Sequence, residues 1–321
     1  MFLNNVDNRT IIEKFVKKHK GETIDLVKQL TSIPSPSHQE GKKAEKDDNA
    51  DLANMLMCIK YLVTYQPEVS VGLLFVANSC EEGLGNLKGS KKIYERYGNR
   101  IREMISFDGN YDRIVNKAVG SQRYRIYMKT EGGHSYGAFG NKNAIHQLSR
   151  LICSLYHIQV PTKAKTTYNV GGIEGGTSVN TIAESAAMLY EVRSEDRDCI
   201  QIMERQMYDI ISSYREEGLD ITVEVLGIRP CGCGVDEKLQ DELVKKHIEI
   251  IKQFSDKEVV ISAGSTDANT FLAQGIPAIV IGTAIGGRTH TRDEWVEKDS
   301  LIVGQKIGLG SVLSYVKYEN I

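Results

Sequence analysis

Between residues 50 and 65 the chain reads ADLANMLMCIKYLVTY, and Leu52, Met55, Leu56, Ile59, Leu62 and Val63 fall at helical spacing. A few residues later Val71 to Ala77 form a short, continuous apolar run, the pattern of a strand buried on both faces. VVISA (259–263) and AIVIG (278–282) repeat it, separated by TDANTFLAQGIP, which reads as helix and turn. Strands alternating with helices predict an α/β layer: a mostly parallel sheet flanked by helices.

The middle of the chain has another rhythm. RYRIYMKT (123–130) reads as strand, NAIHQLSRLICSLYHI (143–158) as helix, and TTYNVGGIE and AAMLYEVRSE as two further strands. DCIQIMERQMYDIISSYREEG (198–218) is a second helix and DITVEVLGI (220–228) a last strand. The order βαββαβ is that of a small split sandwich. It divides the chain into a first part of an α/β domain (1–115), an inserted domain (116–229) and a second part (230–321) that resumes with the helix DEKLQDELVKKHIEIIKQF.

Composition narrows the partners. Lys plus Arg number 40 against 42 for Asp plus Glu, so no positive excess points to nucleic acid or a membrane surface. The first thirty residues read as amphipathic helix without the compact apolar core of a signal peptide, and no apolar stretch is long enough to span a bilayer. The expectation is a soluble, cytoplasmic protein. The six cysteines lie mostly inside apolar periodic segments, which favours reduced thiols over disulfides. Cys231-Gly-Cys233 lacks a second cysteine pair and reads as a turn rather than a metal site.

The candidate chemistry begins in ANSCEEGLG (77–85), where Glu81 and Glu82 close the apolar run. Two carboxylates about 4 Å apart repel by roughly 4 kcal/mol at an effective dielectric near 20, so a partly buried pair needs a proton or a cation. A solvated loop is the plain alternative. Asp108 in ISFDGN ends a second apolar segment, Asp47 and Asp48 precede the helix that leads to Glu81, and His290 in GRTHTRDEW follows AIVIG. In α/β sheets ligands collect at the carboxyl ends of strands. Hard carboxylates with one imidazole suit zinc, or manganese or cobalt, better than calcium.

DDNADLANML, FVANSCEEGLG, ISFDG, TEGGHSYGAFGNKNAI, GGTSVNTIAESAAMLYEVRS, GSTDANTFLAQGIPAIVIG and RTHTRDEWV, taken in order, resemble the successive motifs of the co-catalytic zinc peptidases. That family includes peptidase T, carboxypeptidase G, carnosinase, acetylornithine deacetylase and succinyl-diaminopimelate desuccinylase. The resemblance implies a zinc exopeptidase-like fold with an inserted dimerisation domain, one or two zinc ions per chain, and hydrolysis of amide bonds in small peptides or N-acyl amino acids by a homodimer. It implies that Asp47 bridges two metal ions, that Glu82 and Asp108 bind one each and that His290 completes the Glu82 site. Glu81 would be the general base acting on a zinc-bound water. His134 would reach across the dimer to the partner's site and stabilise the oxyanion, and Asn180 would help hold the substrate. Arg229 in GIRP resembles an arginine that pairs with the substrate carboxylate, with a structural ion pair as its alternative; Arg193 reads as more structural than catalytic.

One family motif is missing. Members carry a His-x-Asp pair well before the bridging aspartate, whereas here TSIPSPSHQEGKKAEK runs directly into DDNADL. His38 lies in a loop the family does not use for metal. Asp47, Glu82 and His290 would still make one three-ligand site, while Asp47 and Asp108 alone would hold a second metal weakly. Two functional readings follow: a hydrolase working with one zinc or at reduced activity, and a catalytically silent remnant acting as a dimeric binding protein. The loss of strands predicts neighbouring strands left unpaired and part of a core exposed.

Overall fold

A computed structural model describes residues 6–32, 46–289, 291 and 293–316, with side chains from Asn8 and, after the first gap, from Asn49. Two long helices, α1 (Val6–Ser32) and α2 (Lys46–Tyr65), open the chain; α3 (Lys88–Tyr97), β1 (Met104–Phe107) and β2 (Arg113–Ala118) follow. After the inserted domain come α6 (Glu237–Phe254), β9 (Val260–Gly264), the short α7 (Ala268–Leu272), β10 (Ala278–Ile281), the short pair β11 (Gly286–Gly287) and β12 (Trp295–Val296), and α8 (Ser300–Leu313).

The first sheet has the order β1-β10-β2-β9, with β1/β10 and β2/β9 parallel and β10/β2 antiparallel. The α/β layer is therefore present and mostly parallel. All four residues of β10 are buried, as its unbroken apolar run requires of a central strand. Ile279 and Ile281 pack with Leu243, Ile250 and Ile251 of α6 and Ile307 of α8. Gly282 ends β10 against the Gly109 carbonyl, where a Cβ would approach to 1.9 Å; only glycine lets the two strand ends lie so close.

The inserted domain comprises β3 (Gly120–Lys129), β4 (Gly133–His134), α4 (Ala144–Leu155), β5 (Thr166–Gly175), β6 (Thr181–Ile182), β7 (Ser185–Ser194), α5 (Arg197–Glu216) and β8 (Asp220–Arg229). Its main sheet, β5-β7-β3-β8, is antiparallel throughout, and α4 and α5 cover one face. Asn143 and Asp196 cap the two helices, their side chains accepting from the first-turn amides. The predicted βαββαβ order is observed, with β4 and β6 added as a small pair at one end.

Two expectations are corrected. Val71–Ala77 is no buried strand: among the described residues it joins no ladder, and Leu74 is 55% exposed. Its apolar run matched a central strand, but among the described residues no neighbouring strands bury both its faces. In α2 the helix forms, yet the stripe of Leu52, Met55, Leu56, Ile59 and Val63 is the less buried face. Ala53, Met57, Cys58 and Tyr61 are the ones packed inward, the last three with Ile12, Phe15 and Val16 of α1 and Leu309 and Leu313 of α8.

Candidate active site

The backbone around the paired glutamates is sharply turned. Cys80, Gly83, Asn86 and Leu87 all adopt left-handed conformations, with φ of 66, 50, 53 and 61°, and the Leu87 amide returns to the Cys80 carbonyl at 3.0 Å. Two such residues in succession with one of them a leucine is backbone strain, of the kind that gathers at functional sites. The turn explains how adjacent glutamates diverge: Glu81 points inward, half-buried, and Glu82 is exposed.

Arg229, at the end of β8 and only 5% exposed, fixes the inward carboxylate. Its Nη1 donates to Glu81 Oε1 and to the Ser265 carbonyl, each at 3.1 Å, while Nη2 donates to the Glu81 carbonyl and, at 3.4 Å, to that of Gly83. Arg123 of β3 also donates to the Gly83 carbonyl. The inserted domain thus grips the glutamate turn through two guanidinium groups. Arg193 donates at 2.9 Å to Glu191, an ion pair within β7. Arg229 is engaged with Glu81, so of its two sequence readings the ion pair is the one this structure displays.

Two more carboxylates approach. Asp108 follows β1, its amide bonded to the Ile281 carbonyl at 3.0 Å. Asp267, buried at the start of α7, accepts from Asn78 Nδ2 at 2.8 Å and so ties the chain entering the glutamate turn to the end of β9. Burial pushes the Glu81 carboxyl up to about 8; Arg229 opposes the rise, and Glu82, Asp267 and Asp108 add to it. Burial likewise holds Asp267 above the usual carboxylate range. Asp267 was missed as a site residue in the sequence, although it stands at the end of VVISA and the strand-end rule that found Glu81 and Asp108 applies to it equally.

Glu81, Glu82, Asp108 and Asp267 all line one cleft of about 2120 Å³, whose walls also include Asn49 and Thr291. Asp47 lies in the first turn of α2, but its side chain, and all of His290, lie outside the described residues, as does His38. Among the described residues no three histidine, cysteine, aspartate or glutamate side chains form a metal-holding group. Glu82 and Asp108 are oxygen donors of the kind a zinc site uses, and the remaining donors of the sequence-read set are those outside the description.

His134 and Asn180 lie together elsewhere. His134 pairs with Thr181 across β4 and β6, the Ser135 amide donates to the Asn180 carbonyl at 3.0 Å, and both side chains are exposed. His134 Nδ1 accepts from the Tyr136 and Gly137 amides at 3.3 and 3.4 Å, which fixes the ring and turns Nε2 away from the loop. Neither residue lines the cleft of its own chain.

Residues 116–219 match the sequence model of the peptidase dimerisation domain. The chain is 27% identical over 265 residues to the uncharacterised protein YqjE of Bacillus subtilis, covering 80% of this chain and 68% of that protein. It is 22% identical over 292 residues to a putative succinyl-diaminopimelate desuccinylase of Mycobacterium tuberculosis, covering 87% and 79%. Among solved structures, aminopeptidase PepT of Bacillus cereus superposes with a TM-score of 0.66 at 22% identity, over 88% of this chain and 76% of that one. A Staphylococcus aureus tripeptidase gives 0.68 at 21% identity, over 85% and 72%. These findings bear out the resemblance read from the motifs: residues 116–219 match the peptidase dimerisation domain, and the chain has the fold of the aminopeptidase PepT and tripeptidase structures.

Proposed function

We propose that the protein hydrolyses amide bonds of small peptides or N-acyl amino acids as a homodimer. The carrying observation is the convergence of Glu81, Glu82, Asp108 and Asp267 on one cleft, with Glu81 half-buried and clamped by Arg229. The Glu81 carboxylate, braced by Arg229 in the cleft, is placed to take a proton from an attacking water and return it to a leaving amine. Glu82, with Asp47, Asp108 and His290, would hold zinc, or manganese or cobalt; when bound, the ion supplies Lewis acidity and a positive charge that relieves the carboxylate repulsion. His134, fixed by two amides on a tip outside its own cleft, would serve a site across the dimer and hold an oxyanion there. Asn180 beside it would contact the substrate. The GGTSVNTIAESA and GGRTHTRDEW stretches resemble the peptidase T and carboxypeptidase G side of the family slightly more than the acetylornithine side. Among the described residues no helix is long and apolar enough to cross a membrane.

The second reading, a silent dimeric binding protein, is favoured by one observation: Val71–Ala77, which should brace the glutamate turn, has no strand neighbour among the described residues. Hydrolysis of dipeptides, tripeptides and N-acyl amino acids with added zinc, manganese or cobalt, alongside elemental analysis, separates the two. Activity that needs the metal and falls by at least 100-fold in Glu81→Gln, with an unchanged circular dichroism spectrum, is expected. A folded, metal-free and inactive dimer would leave only the second reading.

A further inference from the structure

The chain passes between its two domains twice, once after β2 at 118–120 and once after β8 at 229–231. The two crossings lie against each other. Ser121 pairs with Arg229 across β3 and β8, and a Cβ on Gly120 would stand 2.4 Å from Cys231 Sγ. The Val119 amide donates to the Gly264 carbonyl at 2.6 Å, which brings the end of β9 to the same place.

Asn269 of α7 stands where they meet, and it is fully buried. Its Nδ2 donates to the Val119 and Pro230 carbonyls, at 2.9 Å each, and its Oδ1 accepts from the Thr266 amide at 2.9 Å. One side chain therefore bonds both crossings. Two carbonyls need two donors and one amide needs an acceptor, and a carboxamide supplies that set where a carboxylate or a hydroxyl does not.

The partners of Asn269 lead to Glu81. Pro230 follows Arg229, whose Nη1 donates to Glu81 Oε1, and Thr266 follows Ser265, whose carbonyl accepts from the same Nη1. The asparagine thus holds the residue after the arginine and the residue after one of the arginine's acceptors. The polar side chains beside it reach the same turn. Asp267 accepts from Asn78 Nδ2, and Thr270 Oγ1 shares a hydrogen bond with Ser90 Oγ of α3, each at 2.8 Å, one on either side of the glutamates.

We infer that Asn269 is a positioning residue for Glu81: it pins both crossings between the domains, the pin sets where the Arg229 guanidinium stands, and the guanidinium sets the carboxylate. The kinetic consequence rests on the reading of Glu81 as the proton carrier in amide hydrolysis; the mechanical link does not.

Asn269→Asp tests it, because the size and the acceptor for Thr266 stay while both donors go and a carboxylate oxygen is set against two carbonyls. In hydrogen exchange of the full chain, segment 83–87, whose Gly85 and Leu87 amides close the turn onto the Glu82 and Cys80 carbonyls, should exchange at least tenfold faster, with β7 and β10 as in the wild type. On a peptide that the wild type cleaves, kcat should fall at least tenfold with KM within about twofold. Placed on Arg229→Met, the substitution should add nothing to either readout, since Asn269 acts through the arginine. Should Asn269→Asp fail to fold, Asn269→Ser, with one donor for the two carbonyls, is compared in the same way. Unchanged exchange in 83–87, equally faster exchange in β7 and β10, an unchanged kcat, or effects that multiply with those of Arg229→Met each overturn the proposal. A wild type that cleaves nothing counts against the hydrolase reading instead, and exchange in 83–87, with and without Arg229→Met, then decides on Asn269.

Discussion

At the scale of residues, the Arg229–Glu81 pair decides what the glutamate turn can do. A guanidinium 5% exposed, donating to a carboxylate and three carbonyls, is a rigid brace, and removing it strands a carboxyl group among other acids. Arg229→Met should cost about 3–5 kcal/mol, the usual result of breaking one side of a buried pair. The penalty should shrink when Glu81→Gln is already present, because no charge is then left behind. Urea unfolding of the four members of that double-mutant cycle measures the difference; equal penalties in both backgrounds would show that Arg229 acts through the carbonyls alone. Glu81, Glu82 and Asp108 were legible in the sequence because each ends an apolar run and strand ends are where such sheets hold ligands. The Arg229 partner was not, since a sequence separation of 148 hides a contact that only the docking of the inserted domain creates.

At the scale of elements, the helices were readable in kind and less so in orientation. In α2 both 52/55/59 and 53/57/61 are apolar at helical spacing, so periodicity alone could not choose which stripe packs on α1. Apolar runs say that a strand wants burial, and 71–77 shows that they do not say burial is supplied. In α6 the reverse holds. His247 stands between Lys246 and Ile248 and is fully buried, with Nδ1 at 2.8 Å from the Leu243 carbonyl and no partner for Nε2 among the described residues. Burial pushes its imidazole down to about 3. The folded value lies below the unfolded one of about 6.5, so the unfolded chain takes up the proton first and stability falls as pH drops through that window. Between pH 7 and pH 5 this residue should remove about 2 kcal/mol from the wild type. His247→Leu should show a correspondingly smaller loss in urea midpoints over the same interval; an identical loss would assign the acid sensitivity to other groups.

At the scale of the whole molecule, the proposed dimer has a sheet edge to form on. In the inserted sheet the edges are β5 and β8. β8 is already occupied: Lys91 donates to the Ile228 carbonyl at 2.9 Å and Asn86 to that of Leu226 at 3.0 Å, so this edge docks on the α/β domain. β5 is ten residues long and paired only with β7. Apart from the Val170 amide, which donates to the Tyr156 hydroxyl at 3.3 Å, nothing among the described residues caps its outer side. A long uncapped edge is a template for a second copy of itself, and pairing two would extend one antiparallel sheet across both subunits. Thr167 and Asn169, both exposed on β5, can carry lysines without touching the core. In sedimentation experiments the wild type should be a dimer, and Thr167→Lys with Asn169→Lys should weaken association at least tenfold at low salt, less at high salt, where the added charges are screened. If His134 serves the partner's cleft, the same variant should lose amide hydrolysis in step with its dimer fraction, and raising the protein concentration should restore both together; a monomer with full activity would remove His134 from the mechanism.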